Sequence, residues 1–268
     1  MSKPSKRMLS IVGMHRSMTS LATQWLHRCG LHVGDDLYGA GIGNLKGHFE
    51  DKDFIELHDY MLKINNTHWR DHTGREYQFD DYSKQKSSML IRLKSELHDQ
   101  WGWKDPRTCL FLDHWNGLLP NARYLIIYRP FDEVVDSLVR REFKVKNKAE
   151  YVFEWRKYIS KYLNYNNILD NNLRLWIHYN YEIVQFISQM DKETFLVIRN
   201  DQLLNHSEII YKHITEAWGF NLDYTSINSV FDSNITQKAS IDVVGGVDKG
   251  VLKQAERIQS RLNELCFI

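Results

Sequence analysis

The stretch over residues 8–26, MLSIVGMHRSMTSLATQWL, limits the possible folds more than any other part of the chain. Met8, Leu9, Ile11 and Val12 make a short apolar run with the length and β-branched content of a buried strand. The run turns at Gly13. From about Ser17 the pattern becomes an amphipathic helix with Leu21, Trp25 and Leu26 on one side. A strand, a tight turn and a helix N-terminus leave several backbone N–H groups aimed at one spot, at the positive end of the helix dipole. His15, Arg16, Ser17, Thr19 and Ser20 lie between strand and helix, with no acidic residue among them. An ordinary helix start needs one cap, and Ser17 would serve. The order Gly-x-x-Arg-Ser-x-Thr-Ser supplies far more donors than capping requires, and points to a cradle for phosphate or sulfate.

This cradle is not a Walker A loop. That motif places a lysine on the outer phosphates and the following hydroxyl on magnesium. Here Arg16-Ser17-Met18-Thr19 stands where Gly-Lys-Thr would be. A guanidinium is a fork of donors suited to an oxyanion, and needs no metal beside it.

Further along, apolar runs alternate with helical patterns. Residues 31–34 read as a short strand, 35–51 as a glycine-rich loop, 53–64 as a helix, and 65–81 as a polar and aromatic loop. Residues 82–100 read as a helix with Met89, Leu90, Leu93 and Leu97 facing inward. Residues 101–103 lead into Lys104, and a helix is expected over 108–119. The clearest strand is 122–128, followed through Arg129-Pro130 by a helix over 131–142. Residues 148–190 are largely helical, 194–198 are a strand, 206–218 a helix, and the chain is helical again after Gly250. Such alternation implies an α/β fold of three layers, a mostly parallel central sheet flanked by helices on both faces. In these sheets ligands gather at the C-terminal ends of the strands. Arg16, Lys104, Arg129 and Arg199 all fall there.

The totals narrow the function classes. At 268 residues a single domain over 1–268 is expected, and 43% apolar with 26% charged residues suits a soluble globular chain. With 35 basic and 34 acidic side chains, bulk electrostatics offer no hold on nucleic acid or a membrane surface. No apolar stretch nears the ~20 residues of a membrane span, and the first apolar run is too short for a signal peptide. Cys29, Cys109 and Cys266 are odd in number and far apart, which reads as buried free thiols and a cytoplasmic protein. The twelve histidines show no metal-binding spacing, so no metal ligand is expected.

A second anion site is suggested after the clearest strand. Ser137 and Arg141 stand at i and i+4 on the helix from residue 131, sharing a face that can return towards Arg129. Each is ordinary alone. Coupled to the first cradle, they fit a ligand with two separated acidic groups.

Together these residues resemble the sulfotransferases that use 3′-phosphoadenosine 5′-phosphosulfate (PAPS), in particular a bacterial branch related to Golgi and tyrosylprotein enzymes. GMHRSMTSL is similar to their 5′-phosphosulfate loop, and RYLIIYRPFDEVVDSLVRR to their 3′-phosphate site. NLKGHFED (44–51), KDPR (104–107) and IRNDQLLNHSE (198–208) resemble further family segments. The resemblance implies a P-loop-NTPase-like sheet and transfer of a sulfuryl group to an acceptor hydroxyl, with adenosine 3′,5′-bisphosphate as the other product. A carbohydrate or small alcohol is the favoured acceptor.

By the same resemblance Arg16, Ser17, Thr19 and Ser20 would bind the phosphosulfate, with Gly13, His15 and Met18 completing the loop. Arg129, Ser137 and Arg141 would bind the 3′-phosphate, and a further contact would come from Lys238 or Lys249. Glu50 would be the general base and Lys104 would stabilise the transferring group. His48 competes as base, since alternation in an extended segment puts it on the same side as Glu50. Asp51 and Asp53 read as caps of the following helix, Arg107 as a structural tie, and the aromatics of 60–82 and 151–181 as helix packing. Two departures stand out. Met18 replaces a usual glycine, a costly exchange if that backbone needs positive φ, and Asn200 replaces a usual tyrosine. The rival readings are a P-loop nucleotide kinase or phosphotransferase and a non-catalytic nucleotide-binding module.

Overall fold

The computed structural model describes residues 6–39, 47–149, 165–231 and 242–267. Four strands form one sheet in the order β2-β1-β3-β4: β1 Arg7–Val12, β2 Gln100–Lys104, β3 Arg123–Tyr128 and β4 Phe195–Arg199. All three pairings are parallel. The helices are α1 Thr19–Arg28, α2 Lys52–Ile64, α3 Asp81–Leu97, α4 Leu112–Leu118, α5 Phe131–Ala149, α6 Tyr165–Ser188, α7 Asn200–Asn205, α8 Ser207–Lys212 and α9 Lys249–Glu264.

Strand alternation sorts the core into two halves. Leu9, Ile11, Leu125, Ile127, Leu196 and Ile198 point to the side covered by α1 and by the residues after β4. Met8, Val12, Tyr124, Ile126, Tyr128 and Val197 point to the opposite side, against α2, α5, α6 and α9. The result is the three-layer α/β architecture expected from the alternation of strands and helices. Among the described residues no helix is long and apolar enough to cross a membrane.

Several boundaries differ from the sequence reading. The strand over 31–34 is a single parallel bridge from His32 to Trp101. At the other edge Cys266 forms a similar bridge to Val197. Cys29 and Cys109 are buried thiols, whereas Cys266 is half-buried beside the Tyr128 hydroxyl. The helix expected over 206–218 starts at Ser207 and ends in a π-helical turn, His213–Ala217; a short unexpected helix, Asn200–Asn205, precedes it, the two separated by His206 with a non-helical φ of −130°. A 3₁₀ turn, Pro106–Leu110, precedes α4.

The largest correction concerns α3. Met89, Leu93 and Leu97 are exposed, and the buried face is Ser83, Ser87, Leu90 and Lys94. The polar members of that face all have partners, which reverses the apparent amphipathicity. The Ser87 hydroxyl donates to the Ser83 carbonyl at 2.7 Å and meets His114 Nε2 at 2.9 Å. The Lys94 ammonium donates to Asp51 at 2.6 Å and to Asp35. Asp51 also caps α2 through the Asp53 N–H, as expected.

Lys94 and Asp51 are each 1% exposed. Removing one partner leaves the other charge buried and unpaired, a cost of about 3–5 kcal/mol. Lys94→Met is expected to lower the urea unfolding free energy by that amount. Met89→Gln, on the exposed face, should change it by less than about 0.5 kcal/mol.

Candidate functional site

The loop after β1 is shaped by close packing and unusual backbone. A Cβ on Gly13 would lie 2.3 Å from the Ile127 carbonyl oxygen, so only glycine lets the loop leave β1 against β3. Arg16 and Met18 then take positive φ, 72° and 68°, on either side of Ser17. Alternating hands of this kind turn successive N–H groups into one concavity, the geometry of an anion nest. α1 starts at Thr19 rather than at about Ser17. Its N-cap is Met18, which offers no side-chain hydrogen bond, and its first turn holds no acid. Ser17 is buried, and does not serve as the cap.

The left-handed Met18 is supported at both ends. Its carbonyl accepts from the Leu21 and Ala22 N–H groups at 3.0 and 3.2 Å. Its sulfur lies 3.8 Å from Nδ2 of Asn200. The two residues that depart from the sulfotransferase pattern therefore touch each other.

The second cluster lies against this loop. Arg16 Nε donates to the Ser137 hydroxyl at 2.8 Å, and Arg129 Nη1 donates to the Arg16 carbonyl at 3.2 Å. Arg129 is oriented by Glu133 at 2.7 Å, and its own carbonyl accepts from the Trp176 indole at 3.0 Å. Burial, followed by repulsion from Arg141, Arg129 and Arg140, pulls the Arg16 guanidinium down to about 10. Arg140 is paired with Asp136. Arg141 is half-buried, and no hydrogen bond or ion pair holds it among the described residues. Crowded cations of this kind favour a bound anion.

At the neighbouring strand end the buried Lys104 ammonium donates to Glu50 Oε1 at 2.6 Å and to the Ser20 hydroxyl at 3.1 Å. One side chain thus joins β2, α1 and the segment before α2. Burial raises the Glu50 carboxyl above the usual carboxylate range against the pull of Lys104, and the same burial lowers the Lys104 ammonium. Asp105 is not the partner of Lys104. It accepts from Arg107 Nε and Nη2 at 2.9 and 2.6 Å, and lies 3.1 Å from His58 Nδ1. Arg107 also reaches Asp59, consistent with a structural tie.

His48 stands near the same cations, for a different reason than alternation. Phe49 has a positive φ of 52°, so 47–51 is not regularly extended. Instead the Tyr38 N–H donates to the Glu50 carbonyl at 2.7 Å, and the His48 N–H donates to the Tyr38 carbonyl at 3.2 Å. Burial, then Lys104, Arg141 and Arg16, brings the His48 imidazole down to about 4. His15 falls to about 3, chiefly through burial, and is neutral. Its ring lies 4.4 Å from Trp69 and 5.8 Å from Tyr179, and its buried Nε2 has no hydrogen-bond partner.

Gly13, His15, Arg16, Ser17, Met18, Thr19, Ser20, Glu50, Lys104, Arg129 and Ser137 are thereby brought to one rim of the sheet, with His48 and Arg141 beside them. Arg199 is different: it pairs with Asp201 and lies beside Tyr128 and Cys266. Lys249 opens α9, whose first N–H groups are already capped by Asp248. Lys238 lies outside the described residues. Most aromatics of 60–82 do pack: Tyr77 and Phe79 sit against Phe111. Trp69 packs against the same core and also reaches the loop after β1. It meets His15, carries Arg70 5.1 Å over its ring, and is held by the Tyr179 hydroxyl at 2.8 Å. Grouping the aromatics together in the sequence concealed it.

No protein-family model matches the chain, and no curated protein matches it. Among solved structures it is similar to the sulfotransferase STF1 of Mycobacterium tuberculosis, at 13% identity and a TM-score of 0.53. That match covers 97% of this chain and 77% of the other. A sulfotransferase from Alicyclobacillus acidocaldarius matches at 12% identity and a TM-score of 0.50, over 99% and 96% of the two chains. At such identities the likeness is one of fold: this chain has the α/β fold of these sulfotransferases.

The Met18 geometry makes a direct prediction. A left-handed non-glycine residue costs about 1–2 kcal/mol, which glycine would release. Met18→Gly is expected to fold with a denaturant midpoint at or slightly above that of the parent, the loss of the Asn200 contact being smaller than the strain relieved.

Proposed function

We propose that this chain is a PAPS-dependent sulfotransferase acting on an acceptor hydroxyl, with a carbohydrate or small alcohol as the favoured acceptor. The observation that carries this reading is the joining of two anion-suited clusters through Arg16. Its guanidinium reaches Ser137, its carbonyl accepts from Arg129, and its backbone forms the nest before α1. A ligand with acidic groups at two ends suits both clusters at once. The residues at hand fit the donor: guanidinium and hydroxyl groups for the phosphosulfate around residues 13–20, and Arg129, Ser137 and Arg141 for the 3′-phosphate.

The chemistry divided among the side chains is an in-line displacement. Glu50 takes the proton of the acceptor hydroxyl. The new S–O bond forms to the acceptor oxygen as the S–O bond to the 5′-phosphate breaks, releasing adenosine 3′,5′-bisphosphate and a sulfate ester. Catalysis of this type rests on positioning and on stabilising developing charge. Lys104 and Arg16 supply that positive charge in the role magnesium plays in nucleotide kinases. The Lys104 ammonium has three donors, and Glu50 and Ser20 use two of them. Glu50 is the better base than His48, because burial strengthens it, whereas the surrounding cations oppose protonation of His48.

Incubation with sulfur-labelled PAPS and a panel of carbohydrates, alcohols, phenols and tyrosine peptides tests the reading. Label on an acceptor without added magnesium supports it. Magnesium-dependent ATP turnover would favour a kinase, and binding of adenosine 3′,5′-bisphosphate with no transfer would favour a silent nucleotide-binding module. Two substitutions sharpen the assignment. Arg129→Ala is expected to weaken adenosine 3′,5′-bisphosphate binding by about 1.5–3 kcal/mol in calorimetry, the range for a charged hydrogen bond. Glu50→Gln should lower turnover by about 10²–10⁴-fold with nucleotide affinity nearly intact. Normal turnover in that variant would remove Glu50 from the base role.

A further inference from the structure

At the β2 edge of the sheet, away from the residues assigned to transfer, two imidazoles and a carboxylate converge. His32 is fixed by its bridge to Trp101, and its carbonyl accepts from the Gly102 N–H at 2.8 Å. His98 is the C-cap of α3, and its N–H donates to the Lys94 carbonyl at 2.9 Å. The two rings stack with centroids 3.5 Å apart, 18° from parallel. Both Nε2 atoms are buried and lack a hydrogen-bond partner. Both nevertheless face Asp35 Oδ1, at 3.3 Å from His32 and 3.5 Å from His98.

Those separations have a chemical meaning. Unprotonated Nε2 lone pairs facing a carboxylate oxygen repel it, and a proton on either nitrogen makes no aligned hydrogen bond here. A cation between the three atoms resolves both problems. Metal–ligand bonds of about 2.0–2.1 Å in a tetrahedral site place ligand atoms about 3.3–3.4 Å apart, the separation from Asp35 to each imidazole. All three ligand atoms lie within 4.8 Å of one another, and the two rings must turn out of their stack for both Nε2 lone pairs to converge on one ion.

We propose that His32, Asp35 and His98 form a binding site for a divalent transition-metal ion of the zinc class. Two imidazole nitrogens and one carboxylate oxygen are a donor set suited to zinc, with a fourth position left for water. The other oxygen of Asp35 is held by Lys94, which fixes the carboxylate as outer partners do in metal sites. Asp35, Asp51 and Asp53 surround the single Lys94 ammonium, leaving excess negative charge for a cation. The nearby Lys6 ammonium is taken up by Asp99 and the His98 carbonyl. The ligand side chains are 24%, 47% and 27% exposed, so the cluster lies at the surface, and the turn that unstacks the rings also uncovers their buried Nε2 atoms. The site is structural: through Lys94 it ties the start of the 35–51 segment to Asp51, next to Glu50. The sequence hides it, because its histidines lie on separate elements far apart in the chain.

The full chain, stripped with EDTA and dialysed, should be titrated with ZnCl₂ in a calorimeter and with CoCl₂ under visible absorption. One equivalent of zinc, the d–d band of tetrahedral cobalt and a raised thermal unfolding midpoint are expected. His32→Gln and His98→Gln should each weaken zinc binding at least about tenfold, with the zinc-free midpoint unchanged. No binding, or equal affinity in the double variant, overturns the proposal. Should a variant fail to fold, imidazole NMR of the unaltered chain decides, since zinc must shift the His32 and His98 resonances and their constancy overturns the site. Sulfuryl transfer is no part of these readouts, so their failure leaves the transferase reading untouched.

Discussion

Arg16 is where the two halves of the candidate site become one. Its side chain bonds a hydroxyl of α5, its carbonyl receives a guanidinium from the end of β3, and its backbone turns the loop before α1. Buried close to Arg129 and Arg141, it holds its charge at a cost that burial and repulsion make visible as a lowered proton affinity. Positive charge packed this closely at the C-terminal rim of a parallel sheet favours negative charge beside it. Glu133 on Arg129 and Asp136 on Arg140 offset part of that charge.

A similar logic governs the segment before α2. Consecutive acids, Glu50 and Asp51, bond two different buried lysines: Lys104 at the end of β2 and Lys94 on α3. Each carboxylate leaves water, and each is compensated by a direct ammonium contact. The segment is thereby gripped from two sides, immediately after the left-handed Phe49. The Glu50 carboxylate, proposed above as the base, is oriented by its bond to Lys104.

Much of this was legible in the sequence, because strands and the residues that end them leave strong local signals. The apolar runs at 8–12, 122–128 and 194–198 became β1, β3 and β4, and Arg16, Lys104 and Arg129 came to one rim. Long-range polar partnerships leave no such signal. Counting Met89, Leu93 and Leu97 as inward failed because Lys94 finds Asp51 and Asp35 from other elements, and burying that cluster decides how α3 is turned. Met18 and Asn200 each looked like a defect when read alone, and their contact spans 182 positions. Alternation over 47–51 failed at two residues of positive φ, Gly47 and Phe49, and the hand of Phe49 is not written in its side chain.

The two single-residue bridges at the flanks of the sheet bear on how this molecule meets others. His32 occupies the outer side of β2 and Cys266 that of β4, where Phe267 N–H also donates to the Val197 carbonyl at 2.9 Å. Bare flanking strands invite a strand from another molecule, the usual start of runaway sheet growth. Here both flanks are interrupted by the protein's own backbone. Association with a neighbour would therefore favour contacts between helical faces over continuation of the ladder.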